Sequence, residues 1–182
     1  MIKNVIHKIG RRATEAIFER VGIRTYDSTF NFHLKKVKGK CAETEVFYIP
    51  NSTVDDYYGP NDISFFDINI DPNLTAASRH NDQEARNMFA FLLAHELQHA
   101  KQFLTGSLRM NRITRDSYLW ENKHVVFHKK VKPEKLLPWE IEADAVGRRV
   151  ANSLVEDGLV KDELAAAAKK GILPFNPFQL SI

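Results

Sequence analysis

The run His95-Glu96-Leu97-Gln98-His99 constrains this chain more than any other five residues in it. It is flanked by Met88 to Ala94 and by Ala100 to Leu104, whose apolar residues suit a helix crossing a core. On a helix, residues four apart share a face, with Cβ atoms roughly 5–6 Å apart. His95 and His99 can therefore each bring an imidazole nitrogen to one point. Glu96, displaced by about 100° around the axis, flanks that point. Two imidazoles beside a carboxylate are donors suited to a zinc ion (Zn2+) with an open coordination position, and such a site needs one more protein ligand. The plainer reading is a helix with two solvated histidines. Chance alone gives the pattern in a chain of this length on the order of once in a couple of hundred sequences.

The third ligand is sought among carboxylates. Cys41 is the only cysteine, which excludes a disulfide within the chain and a thiolate zinc site, and it reads as a small packing residue. Pro138-Trp139-Glu140-Ile141-Glu142-Ala143-Asp144 opens a second long helix, with proline in its favoured first turn and Gly158 at its end. Glu140 and Asp144 are four apart and share a face, whereas Glu142 points nearly the opposite way. Glu140 is taken as the ligand. Asp144 is placed behind a ligating histidine, where a carboxylate fixes the tautomer and raises the basicity of the ring. Glu142 stays open as an alternative third ligand. Two histidines and one glutamate leave a fourth position for water, as catalytic rather than structural zinc sites do.

The other elements follow from local patterns. The first twenty or so residues read as an amphipathic helix, with Ile2, Val5, Ile6, Ile9, Ala13, Ala16, Ile17 and Val21 at helical spacing and Gly22 as C-cap. Strand character marks 29–34, 44–49 and 63–71, with a turn-rich loop over 50–62. The histidine-bearing helix starts at a capping box of Asn81 and Glu84 and stops at Gly106. Residues 117–130 alternate enough for a strand or hairpin. A short helix covers 161–170, and the tail after Gly171 is extended by its two prolines. The fold class is α+β, one domain over residues 1–182: an N-terminal helix, a small mostly antiparallel sheet, and two long helices that meet at the metal.

With these residues in view, the pair "HELQH" and "EIEAD" resembles the gluzincin branch of the zincin metallopeptidases. The resemblance implies His95, His99 and Glu140 as zinc ligands, Glu96 as general base and Asp144 as the outer carboxylate. It also implies that "ISFFDINID" is the strand that offers its edge to an extended substrate. The motifs, with Trp120 between them, are similar to those of small uncharacterised phage and bacterial proteins. They cover only short stretches between His95 and Asp144. The activity implied is zinc-dependent hydrolysis of peptide bonds in a peptide or protein substrate.

Composition bears on partners and location. A net charge of +3 is too small to argue for nucleic acid without a basic patch. The longest apolar run falls well short of the roughly twenty residues that span a bilayer. Lys3, Lys8, Arg11 and Arg12 interrupt the N-terminal apolar residues, unlike an export signal. A cytoplasmic or virion-associated protein without membrane partners is expected. Tyr118, His124 and His128 are candidates for a donor to the reaction's oxyanion, each read more readily as a packing or surface residue. Tyr57 and Tyr58 form a lid or an ordinary loop. His7, His33 and His80 have no partner pattern. The rival function keeps the metal scaffold without turnover, as a phage virion or assembly component docking through its N-terminal helix or C-terminal tail. A metal-binding regulator is a third reading.

Overall fold

The computed structural model describes residues 9–24, 30–38, 41–49, 55–71, 82–114, 117–126 and 137–159. Asn81 of the expected capping box, the helix at 161–170, the tail, and His7, His80 and His128 lie outside them. Alternation of large apolar residues builds the first sheet. In β1 (Phe30–Leu34), β2 (Ala42–Tyr48) and β3 (Ile63–Ile70), the order is β1-β3-β2, with β1 parallel and β2 antiparallel to β3. Phe30, Phe32 and Leu34 lie opposite Phe66, Ile68 and Ile70, and these lie opposite Val46, Thr44 and Ala42. One face of the sheet is thus apolar except for Thr44, and this face packs on helices.

The strand "ISFFDINID" is therefore the centre of its sheet and offers no edge. The edge nearest the histidine helix belongs to β2. Alternation reveals which residues share a face, but strand order depends on pairings made far along the chain. Phe66, Ile68 and Ile70 are almost wholly buried, as a central strand under helices should be.

Helix α1 (Arg11–Val21) packs Ile17 and Phe18 into that core, where Phe18 meets Phe30 and Phe32 edge-on. Gly10 (φ 89) precedes the helix, and Gly22 closes it in the left-handed conformation, with its N–H donating to Phe18 and Glu19 carbonyls. Helix α2 (Asp82–Leu104) runs through the middle of the molecule. Phe89, Ala90, Leu93, Ala94, Leu97 and Ala100 are buried along it. Lys101 Nζ donates to the Val21 carbonyl at 2.7 Å, tying α2 to the end of α1.

A second sheet of β4 (Leu108–Met110), β5 (Ser117–Trp120) and β6 (Lys123–Val126) is antiparallel throughout, so the described residues form two small sheets where one was expected. The expected hairpin turns at Glu121 and Asn122, both at positive φ (48 and 63), as a two-residue turn requires. Its apolar face, Tyr118 and Trp120, packs with Leu108 and Leu137 around Trp139. That second cluster holds the start of α3 (Pro138–Glu156).

Among the described helices, α2 and α3 share the most extensive contact, and Gly147 allows a close approach at their crossing. A Cβ there would stand 2.9 Å from Phe91 Cε2 and 3.1 Å from the Phe91 carbonyl oxygen. Glycine inside a helix costs about 1 kcal/mol relative to alanine, so this position trades propensity for proximity. Gly147→Ala is expected to destabilise the protein by about 1–3 kcal/mol, the usual cost of overpacking, despite alanine's better propensity. Urea unfolding measures it. An unchanged or raised midpoint would show that the helices have slack at this crossing.

Candidate metal centre

Helical spacing puts His95 and His99 on the side of α2 that faces α3, and the Trp139 anchor sets Glu140 over them. Glu140 lies in the first turn of α3, where the helix N-terminus favours a carboxylate. The three side chains converge. His95 Nε2 and His99 Nε2 are 3.0 Å apart, and Glu140 Oε2 is 3.4 Å from the first and 3.3 Å from the second. Among the described residues, these three form the one group of histidine, cysteine or acidic side chains close enough together to hold a metal ion.

The hydrogen bonds behind the rings orient the members of this triangle. Gln102 Nε2 lies 3.0 Å from the Trp139 carbonyl and 2.7 Å from Glu142 Oε2, both acceptors, so the amide orientation is set by its partners. Its Oε1 then faces His99 Nδ1 at 2.9 Å, and that nitrogen must carry the hydrogen. Asp144 Oδ1 lies 3.0 Å from His95 Nδ1, close enough for an ion pair although off the straight hydrogen-bond direction. A carboxylate there favours an N–H on that ring too. In its neutral form, each ring with its hydrogen on Nδ1 turns a bare Nε2 lone pair toward a carboxylate oxygen. Three electron-pair donors this close repel one another unless a cation lies among them.

The separations fit zinc. Bonds of about 2.0–2.1 Å in a tetrahedron place neighbouring ligand atoms about 3.3–3.4 Å apart. The sides of the triangle lie within a few tenths of an ångström of that. The chemistry of the set, two imidazoles and a carboxylate, suits the same ion.

Without a metal, a proton fills the role. Burial alone would lower the His95 pKa, but the contacts with Asp144 and Glu140 and the charges of Glu96 and Glu140 outweigh it, raising the value from 6.5 to about 10. Glu140 is the counterpart. Burial would raise its pKa, yet its contacts with His95 and His99 hold it far below the usual carboxylate range. A histidine raised in this way stabilises the metal-free fold fully below about 6.5, and this contribution is lost as pH climbs through about 10. A zinc ion held here would have to displace the same proton, so its apparent affinity would rise about tenfold per pH unit across that window. Zinc titrations at stepped pH, paired with melting in chelator, read the two opposite slopes. A flat affinity would mean that no proton is released on binding.

Glu96 lies beside the histidines, 4% exposed and outside the donor triangle. Thr44 Oγ1 lies 2.7 Å from Glu96 Oε2, so the hydroxyl on the helix-facing side of β2 holds one oxygen of this carboxylate. Glu142 does not point away from α2. Its Oε2 accepts from Gln98 Nε2 at 3.1 Å and from Gln102 Nε2 at 2.7 Å. The helical wheel places Glu142 on the opposite flank of the buried stripe from Glu140, but α3 crosses α2 so closely that both flanks meet it.

Of the candidates from the intervening segment, Tyr118 and His124 are among the described residues. Tyr118 packs on Trp139, and His124 Nδ1 lies 3.0 Å from the Tyr57 hydroxyl. Tyr57 bridges to Asn111, and Tyr58 stacks on Tyr48 under Arg112, so this part of the loop is tied to both sheets. His33 pairs with Asp67 at 3.5 Å, on the face of the first sheet away from the helices. Thr44 and Gln102 were missed in the sequence. The readable signal for Gln102 was a polar side chain three residues after His99, on the same helix face.

Comparison with protein-family models, with curated proteins and with solved structures gives no match. No helix among the described residues is long and apolar enough to cross a membrane.

Proposed function

We propose that the protein is a zinc-dependent hydrolase, a metallopeptidase of the gluzincin kind with a zincin-like fold. The observation that carries this reading is the convergence of His95 Nε2, His99 Nε2 and Glu140 Oε2, with both histidine tautomers set from behind. These three residues would hold the ion. Bound zinc would polarise a carbonyl and acidify a water. Glu96, beside the histidines, would take a proton from the attacking water and deliver it to the departing amine nitrogen. Thr44 keeps one Glu96 oxygen occupied, which leaves the other for that proton. Asp144 and Gln102 keep the histidines from turning.

The substrate reading follows from β2. Its outer edge adjoins Glu96 through Thr44, and an extended peptide adding to that edge would lie beside the base. A peptide or protein substrate is the class this supports. The test is direct: zinc content of the purified protein, then cleavage of a mixed peptide library by wild type, by chelator-treated protein and by Glu96→Gln. Cleavage lost in chelator and in the variant is expected. Cleavage equal in all three would remove the proposal.

A further inference from the structure

The two histidines are supported differently, and the difference assigns a role to residues outside the donor triangle. His95 has a carboxylate, Asp144, directly behind it. His99 has a neutral amide, Gln102, with a carboxylate, Glu142, one step further back. We propose that Gln102 and Glu142 form a relay that positions His99 for the metal. It rests on the metal-site reading above: Glu142 fixes the amide, and the amide carbonyl fixes the His99 N–H.

Gln102 is 1% exposed, and its contacts account for its polar atoms. The carbonyl oxygen accepts from His99, while the amide nitrogen donates to the Trp139 carbonyl and to Glu142. A buried amide costs free energy that hydrogen bonds only offset, and leucine or methionine would fill the space without that cost. Packing therefore does not explain a glutamine here. Holding a donor nitrogen at His99 does. Glu142 is exposed, yet its Oε2 receives two amides, Gln98 and Gln102, from successive turns of α2. The negative charge polarises the Gln102 amide, and the polarised carbonyl makes the far nitrogen of His99 a better electron-pair donor. The relay also joins the first turn of α3 to the histidine helix through the Trp139 carbonyl, so ring orientation and helix placement are set by one side chain.

The experiment uses the full chain and zinc ion alone, with affinity read by competition against a chromophoric chelator and the metal-free fold read by circular dichroism. Gln102→Leu is expected to lower zinc affinity about 10–100-fold, the range for losing an outer partner of a ligand, with the metal-free fold retained. Glu142→Gln, at an exposed position, is expected to lower it about tenfold and serves if Gln102→Leu does not fold. The pair Gln102→Glu with Glu142→Gln restores a carboxylate–amide contact with its polarity reversed but loses the donor to the Trp139 carbonyl, and should recover part of the affinity lost in Gln102→Leu. A purely structural glutamine would change melting in all three proteins and leave zinc affinity alone. Wild type that binds zinc together with folded variants of unchanged affinity overturns the relay and leaves the metal reading standing. Wild type that binds no zinc overturns both.

Discussion

Glu140→Ala is expected to weaken zinc binding by more than 100-fold, beyond the roughly 10–100-fold that loss of an outer partner costs. The reason lies in the charge balance. Glu140 is the only carboxylate in the donor triangle; the other two members are imidazoles on one helix. Its removal leaves two imidazoles, separated by one helical turn, to hold a dication in competition with water. It also removes one of the contacts that hold a proton on His95, so the metal-free protein should release that proton at lower pH. Two readouts thus move together. The alternative ligand is separated in the same experiment. Glu142 has its Oε2 committed to Gln98 and Gln102, so its alanine variant should lose the smaller, indirect amount. If Glu142→Ala proved the more damaging of the two, the third ligand would have been misassigned.

The parts of this site that a reader of the sequence reaches are those governed by one helix at a time. The spacing of His95 and His99 sets their common face, and the spacing of Glu140 and Asp144 does the same on α3. Bringing the two helices together needed only the requirement for a third donor. What stayed hidden depends on how elements cross. Thr44 meets Glu96 because β2 is an edge strand lying against α2, and nothing in "AETEVFY" announces that partner. The central place of β3 depends on pairing β1 in parallel across about thirty residues, a contact for which the chain carries no local signal. Glu142 shows the limit of the helical wheel. Its angle, about 200° from Glu140, was right, but a wheel has no second helix. Gly147 was equally mute, because a glycine within a helix reads as a weakness until Phe91 is seen against it.

Glu96→Gln is expected to leave zinc affinity within a fewfold of wild type while the turnover of any cleaved peptide falls by about 10²–10⁴, the contribution of a positioned proton-transfer group. The substitution suits the site because the amide keeps the shape of a side chain that is 4% exposed, and its carbonyl oxygen can still accept from Thr44. Packing between β2 and α2 is thereby preserved, and a loss of rate cannot be assigned to unfolding. The loss should fall on kcat rather than on KM, because Glu96 is asked to move a proton and not to bind the peptide. The result also separates the enzyme from a protein that only keeps the scaffold. In a virion or assembly component, the donor triangle would still bind zinc and Glu96 would serve as a buried partner for Thr44. Wild type and variant would then differ in neither metal content nor peptide cleavage. A difference confined to cleavage is what a proton-transferring carboxylate produces and a packing carboxylate does not.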